Sequence, residues 1–151
     1  MQRRKLDFHD FDSVAADLER LQKNGYSKAG NWGLRQICQH LEGAFRMSID
    51  GFSMKGPWII RKILGPYVFK GRLLSKRSMP EGFKAPKAFM PSDDGDETST
   101  VQAFKVQLDR VRDHKGEFQP NPFLGPMTLD EWRQFHLIHA AHHLSFLIPK
   151  A

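Results

Sequence analysis

Apolar residues recur at intervals of three and four in four separate segments of the chain, which is the spacing of one face of an α-helix. No segment shows a convincing alternation of apolar and polar residues of the kind that marks a half-buried strand. The pattern predicts an all-α protein, and four amphipathic helices in 151 residues predict a four-helix bundle. A chain of this length fits one domain, residues 1–151, that buries a core without disulfides.

Helix-capping and helix-breaking residues set the predicted bounds of the first two helices. The first helix begins after a cap at Asp12 or Ser13 and ends at Gly25. The second helix begins near Gly33 and ends at the Asp-Gly pair 50–51. Its apolar stripe consists of Leu34, Ile37, Cys38, Leu41, Ala44, Phe45 and Ile49.

A long irregular connection is predicted between the second and third helices. The apolar run WIIRKILG follows Pro57, but Gly65 and Pro66 predict a stop, so we interpret this part as a broken helical connection. Residues 79–97 are rich in Pro, Gly, Ser and Asp, which predicts a long surface loop.

Two further helices complete the predicted bundle. The third begins at a cap, Thr98 or Ser99, and ends near 115–116. The fourth begins after Thr128, which forms a capping box with the glutamate three residues later. It is predicted to run to about Ile148, because Pro149 opposes continuation.

Positive charge is concentrated in one stretch. The formal net charge is +6, and residues 55–87 hold nine basic residues against a single acid, Glu81. The basic residues are Lys55, Arg61, Lys62, Lys70, Arg72, Lys76, Arg77, Lys84 and Lys87. The favoured interpretation is a solvated face with a surface loop; the alternative is a docking patch for an anionic substrate, a carboxylate or a phosphate-bearing thiol. Nucleic-acid binding is less favoured, because no helix-turn-helix, finger or RNA-binding motif accompanies the charge.

Cysteine usage and the N-terminus predict the compartment. Cys38 is the only cysteine, so no intramolecular disulfide forms and a cysteine-based zinc site lacks ligands. The basic N-terminus continues into acidic residues instead of an apolar signal-peptide region, and no apolar run is long enough for a membrane span. The sequence therefore predicts a cytoplasmic protein with a small-molecule substrate and no membrane partner.

Three histidines fall on the apolar face of the last predicted helix, in the run EWRQFHLIHAAHHLSFLI. At about 100° per residue, one arc contains Trp132, Phe135, His136, His139, His143, Phe146 and Leu147. His139 and His143 are spaced i, i+4, so their ring nitrogens can converge on one metal ion. The alternative is that these are core histidines, hydrogen-bonded to backbone or to buried water.

A divalent metal site generally needs a third ligand. His40 lies at the flank of the second helix's apolar stripe, next to Ala44, where a neighbouring helix packs. It is therefore a candidate. The remaining histidines, His9 and His114, lie near a chain end and a helix end and are predicted to be surface residues.

These residues give the chain a resemblance to the DinB-like superfamily of four-helix metalloproteins, which includes bacillithiol transferases and mycothiol-dependent isomerases. The resemblance covers nearly the whole chain, is closest to a branch described as a domain of unknown function, and rests on NWGLRQICQHLEGAF, SIDGF, the proline-rich middle and NPFLGPMTLDEWRQFHLIHAAHHLSFL. It implies one divalent metal held by a histidine of the second helix and an H-x-x-x-H pair of the last. Those residues are His40, His139 and His143 here.

The resemblance implies a metal-dependent transferase or hydrolase that activates a thiol or a water. Imidazole suits zinc, nickel, iron and copper, so the metal stays open. Thiol-transferase members usually place Arg-Gly after the final histidine, whereas 144–146 here are Leu-Ser-Phe, which weakens the case for a particular thiol cofactor. The alternative is a non-catalytic metal-binding or stress-related protein on the same scaffold.

Several neighbours of the predicted site have open roles. For His136 we rank packing first, a proton shuttle second and a fourth ligand third. His142 points off the apolar face and is either a hydrogen-bond donor to a ligand or a solvent-facing residue. Gln39 or Glu42 either orients His40 or lies on the surface. No residue is assigned as catalytic beyond the possible shuttle.

Aromatic residues near the predicted site have two interpretations. Trp132, Phe135 and Phe146 form either ordinary core, which is favoured, or the apolar walls of a pocket. Trp58 and Ile60 lie in the predicted connection and are candidates for a homodimer contact.

Overall fold

A computed structural model describes residues 1–80 and 85–151, and in these ranges the chain is mostly helical. The α-helices are α1 (Phe11–Asn24), α2 (Leu34–Asp50), α3 (Lys70–Lys76), α4 (Glu97–Asp113) and α5 (Leu129–Leu144). A π-helical segment, Ile60–Phe69, leads into α3, and one 3₁₀ turn, Lys87–Phe89, precedes α4. Two short strands, β1 (Tyr26–Lys28) and β2 (Leu147–Pro149), form an antiparallel pair.

The four longest α-helices, α1, α2, α4 and α5, enclose the main core. The rings of Phe45 on α2 and Phe104 on α4 are fully buried and meet edge to face, with centroids 5.1 Å apart. Burying a side chain of this size contributes about 1.5–3 kcal/mol. The predicted stripe on α2 is buried except for Ile49, which is half-buried. The mostly helical fold agrees with the sequence prediction.

Two predicted helix starts are two or three residues late. The cap of α1 is Asp10, whose carboxylate accepts a hydrogen bond from the Ser13 main-chain N–H, so Asp12 and Ser13 lie in the first turn. The reason is that several residues able to cap occur together, and a carboxylate three residues before a free N–H captures it.

The same correction applies to α4. Its cap is Asp96, which accepts hydrogen bonds from the main-chain N–H groups of Thr98 and Ser99, the two residues predicted as caps. The helix ends at Asp113, close to the predicted end. The capping box predicted for α5 is present, between Thr128 and Glu131.

The end of the chain was predicted wrongly. The last helix ends at Leu144 instead of running to about Ile148, and the residues of β2 pair with β1. The residue before a proline is disfavoured in the α region, and Ile148 precedes Pro149. Because the pairing joins residues from opposite ends of the sequence, local periodicity gave no sign of it.

The predicted break at Gly65 and Pro66 is also wrong, because residues 58–76 form one continuous helix, here called the outer helix. Hydrogen bonds in its π-helical part reach the fifth residue back, as from the Lys70 N–H to the Gly65 carbonyl. Gly65 rests directly on the Phe123 carbonyl oxygen, which would lie 1.9 Å from a Cβ at this position. The glycine therefore serves close packing.

The loop before α4 lies against α2. The Arg35 guanidinium donates to the main-chain carbonyls of Asp94, at 2.6 Å, and Ser92, at 2.9 Å. Of the predicted surface loop 79–97 and its basic stretch, positions 81–84, with Glu81 and Lys84, lie outside the described residues. Within the described residues, none of the helices combines the length and the apolar composition that crossing a membrane requires.

Candidate metal centre

Helices α2 and α5 bring the three predicted ligand residues together. The Nε2 atom of His139 lies 3.1 Å from Nε2 of His40 and 3.1 Å from Nε2 of His143. One ring nitrogen from each residue falls within a set whose members are all within 4.8 Å of one another. Among the described residues this is the group of histidines, cysteines or carboxylates placed to hold a metal.

A main-chain carbonyl orients His40. Its Nδ1–H donates to the Phe89 carbonyl oxygen, at 2.8 Å, which leaves the Nε2 lone pair facing His139. Metal-binding histidines commonly have their second nitrogen held in this way. Of the two interpretations of Gln39 and Glu42, the contacts do not support the orienting role: Gln39 bonds to Ser92, and Glu42 pairs with an arginine one turn along α2.

All three imidazoles are in an environment that favours the neutral form. Burial lowers the pKa of His40 below its usual range, although the bond to the Phe89 carbonyl opposes the shift. Burial, together with repulsion from neighbouring imidazoles, lowers the pKa of His139 and of His143 well below the usual range. Neutral imidazole carries the lone pair that coordinates a metal.

The spacing of the nitrogens fits a metal better than it fits protons. One proton on His139 Nε2 cannot form good hydrogen bonds to the Nε2 atoms of both His40 and His143. A cation between the rings can instead accept a lone pair from each of the three nitrogens. Metal–nitrogen bonds of about 2.0–2.1 Å at tetrahedral angles put ligand nitrogens about 3.3 Å apart. The observed separations to His40 and His143 are both 3.1 Å. Among the described residues, the Nδ1 atom of His139 has no hydrogen-bond partner.

Trp32 covers the group and was missed by the sequence reasoning. Its ring stacks on His143, with centroids 5.6 Å apart and planes at 19°, and lies 5.3 Å from His40. Its position one residue before the α2 cap was visible in the motif NWGLRQ, but its contact with α5 was not. The indole packs two of the three rings into fixed orientations.

The end of α5 is fixed by Arg4, a second residue that sequence reasoning missed. Its guanidinium donates to both carboxylate oxygens of Asp17, at 2.8 and 2.6 Å, and to the carbonyls of Leu144 and Leu147. Its main-chain N–H donates to the Ser145 carbonyl. These partners lie 13 and 140 or more positions away, so no local pattern marked the residue.

His136 lies one turn from the group but does not belong to it. Its Nε2 is 2.9 Å from the Ser48 Oγ, whose own proton is donated to the Phe45 carbonyl, so the imidazole is the donor. The ring lies between Phe45 and Trp132, at centroid distances of 4.0 and 5.1 Å. Burial lowers its pKa to about 3. These surroundings favour the packing role, and the shuttle role stays a prediction.

The remaining histidines are placed as follows. His9 is exposed, as predicted, whereas His114 is half-buried with its ring tilted against Phe118, at 4.8 Å. His142 is half-buried and lines the cavity described below, with its ring edge-on to His143, at 5.0 Å.

A cavity of about 900 Å³ opens beside the three imidazoles. His40, His139 and His143 lie in its wall. Trp132 and Phe135, for which core was favoured and a pocket wall was the alternative, belong to both: they pack in or against the core and also line the cavity. Other apolar lining residues include Phe52, Ile60, Phe69, Leu73, Phe123 and Leu124.

For Phe146, ordinary core was the favoured interpretation and a pocket wall the alternative, and the position of its ring does not support the wall. It lies beyond the end of α5, outside the described cavity lining, with the Arg3 guanidinium 5.2 Å from its ring centroid.

Charge at the cavity has one sign. Among the described lining residues, Arg72 and Lys76 of α3 are cationic, and no carboxylate lines the wall. An apolar interior with cations at its edge suits a ligand with an apolar body and an anionic group. The cavity wall therefore contains three imidazoles and two cationic side chains.

Residues 1–150 match the family described as Protein of unknown function (DUF1569), so the chain belongs to that family. No curated protein and no solved structure matches the chain.

Proposed function

We propose that the protein is a metal-dependent enzyme in which His40, His139 and His143 hold one divalent transition metal. One observation carries the proposal: three neutral imidazole nitrogens converge at the wall of a large apolar cavity. Zinc, nickel and iron all suit imidazole ligands. Three protein ligands leave a coordination position for water or substrate, which is typical of catalytic sites.

The chemistry proposed for the site is activation of a thiol or of a water. A divalent ion on three neutral imidazoles keeps its double charge and lowers the pKa of a water or thiol bound to it. The chain's residues supply the rest: Trp132 and Phe135 exclude water from the reacting centre, while Arg72 and Lys76 attract an anionic group of the substrate.

We also propose that the chain is a DinB-like four-helix protein. Four long helices enclosing one core, with a histidine from α2 facing an H-x-x-x-H pair on α5, support this relationship. One difference from the thiol-transferase members remains: residues 144–146 are Leu-Ser-Phe, where those members usually have Arg-Gly. Here the helix ends at Leu144 and the chain leads into β2. For this reason we do not assign a particular thiol.

Metal analysis of natively purified protein tests the proposal. We expect one zinc, nickel or iron ion per chain by mass spectrometry of the purified protein, prepared without chelators. His40→Ala and His143→Ala are expected to lose the metal, because each removes one of three ligands. Turnover is then assayed with thiol plus electrophile and, separately, with ester substrates that carry an apolar body and a carboxylate.

His9→Ala is the matched control, since His9 is an exposed histidine that does not belong to the cavity lining or to the histidine group. It should keep the full metal content. The proposal fails if wild type carries no stoichiometric metal after reconstitution with each ion, or if the ligand variants keep as much metal as His9→Ala. Metal binding without turnover of either substrate class would favour a metal-binding protein that is not an enzyme.

A further inference from the structure

The outer helix exposes most of the large apolar side chains that face solvent. Ten such side chains are exposed among the described residues, and seven of them lie within positions 58–69. They are Trp58, Ile59, Ile63, Leu64, Tyr67, Val68 and Phe69. Tyr67 is 83% exposed and Trp58 61%. A contiguous apolar surface of this kind marks an interaction site.

The outer helix and the residues that flank it are strongly basic. Residues 51–80 contain seven lysines and arginines and no acid. Lys70 pairs with Glu131, and Arg77 pairs with Asp7. Four exposed cations make no ion pair within 1–80 and 85–151: Lys55, Lys62, Arg72 and Lys76.

We infer that the outer helix binds the surface of an anionic lipid bilayer. Apolar side chains of an interfacial helix enter the boundary between headgroups and acyl chains, while lysines and arginines contact anionic headgroups. Trp58 and Tyr67 are of the two residue types enriched at that depth. This binding needs no membrane span, so it revises the expectation of no membrane partner, which rested on the lack of a spanning segment.

Charge decides between a bilayer and the predicted homodimer. In a symmetric dimer through Trp58 and Ile60, the four unpaired cations of one copy would approach those of the other. Like charges at an interface oppose association. A polyanionic nucleic acid would satisfy the cations but would leave the apolar side chains in water. A bilayer with anionic headgroups satisfies both features.

The inference also accounts for where the cavity lies. Ile60, Phe69 and Leu73, on the outer helix, line the cavity, and so do the cations Arg72 and Lys76. A protein bound through this helix would hold the cavity beside the acyl chains. The inference does not depend on the metal, because none of the outer-helix residues belongs to the histidine group.

Sedimentation with lipid vesicles tests the inference. We expect the full chain to bind vesicles of phosphatidylcholine mixed with phosphatidylglycerol, and to bind pure phosphatidylcholine much more weakly. Lys62→Gln should lower the partition coefficient about fivefold, the effect of about one basic residue near an anionic surface. Ile63→Asp should lower it about tenfold or more, because it places a carboxylate among acyl chains.

Two variants on other helices are matched controls: Lys23→Gln on α1 and Val106→Asp on α4, both exposed positions. They should bind as wild type does. Circular dichroism of all four variants checks that the fold persists. The inference is overturned by absence of binding to the anionic vesicles, by equal losses in the controls, or by a dimer in ultracentrifugation that Ile63→Asp abolishes. Salt-sensitive binding to DNA or RNA without vesicle binding would overturn it as well.

Discussion

Two halves of α5 carry buried histidines less than one turn apart and place them in opposite chemical surroundings. His136 lies among aromatic rings, and the Ser48 hydroxyl accepts its Nε2 proton. His139 faces two other imidazole nitrogens and the cavity. Both rings are buried, and burial lowers the pKa of both. Burial therefore does not distinguish a packing histidine from a ligand; convergence of lone pairs does.

The largest expected effect is that of acid pH on the free energy of unfolding, and it tests the surroundings of His136. The folded-state pKa of His136 is about 3, whereas a histidine in the unfolded chain titrates near about 6.5. The unfolded state binds more protons between these values, so the free energy of unfolding falls as the pH falls through this window. His136 contributes about 1.4 kcal/mol per pH unit to this slope. In metal-free protein His40, His139 and His143 add to it, because burial lowers their pKa as well. Urea unfolding of metal-free protein at successive pH values measures it.

The variant His136→Phe sharpens this measurement. It keeps an aromatic ring between Phe45 and Trp132 but cannot take up a proton. We expect its slope to be smaller by the equivalent of about one proton. An unchanged slope would show that His136 does not contribute to the pH dependence of stability.

Truncation at the two positions is expected to differ next in size. His136→Ala removes a ring from a sealed aromatic stack, and cavities of this kind cost about 3 kcal/mol. His139→Ala should cost less, because its ring already borders the cavity. Only the second variant should lose metal. Chemical unfolding and metal analysis of the same samples test both statements, and equal destabilisation would remove the distinction.

Metal binding should stabilise the folded chain through His139 and not through His136. At a free metal concentration one hundred times the dissociation constant, the free energy of unfolding should rise by about 2.7 kcal/mol. For a chain of this size the Tm should rise by about 5 to 10 °C. Thermal unfolding with zinc should show this rise in wild type and in His136→Phe, but not in His139→Ala. A rise in all three would mean that the ion binds elsewhere.

The smallest expected effect concerns Trp32, which stacks on His143. Trp32→Leu keeps an apolar side chain but loses the flat contact, and loss of an outer partner commonly lowers metal affinity about tenfold or more. Trp58→Leu is the matched control on the outer helix. Competition with a zinc-binding dye measures both affinities. If Trp32→Leu binds zinc as tightly as wild type does, Trp32 does not help to position the imidazoles, and the Phe89 carbonyl and α5 are sufficient.

Local sequence signals predicted the helices with clear stripes and caps. The bounds of α2 and the capping box of α5 follow from patterns within one or two turns. The starts of α1 and α4 were displaced because several residues able to cap follow one another. The strand pair could not be predicted, since residues about 120 positions apart form it and each strand has three residues.

The candidate site shows the same division. Spacing alone placed His139 and His143 on one face, but His40 entered mainly through the family resemblance. Its orienting partner, Phe89, lies 49 positions away in a loop, so the nearby Gln39 and Glu42 were considered instead. Contacts that hold a site together come largely from distant segments, and a single sequence does not encode them as a local pattern.

The imidazole of His40 contacts the loop through one nitrogen and the proposed ion through the other: its Nδ1–H donates to the Phe89 carbonyl, and its Nε2 faces the ion site. An ion on Nε2 fixes the imidazole that the Phe89 carbonyl accepts from, and a docked loop fixes the imidazole for the ion. By thermodynamic reciprocity, each raises the affinity of the site for the other by the same factor. Amide hydrogen exchange of the 3₁₀ turn at Lys87–Phe89 should therefore slow when metal binds. The order of this loop then depends on whether the metal site is occupied, and a partner that contacts the loop would respond to that difference.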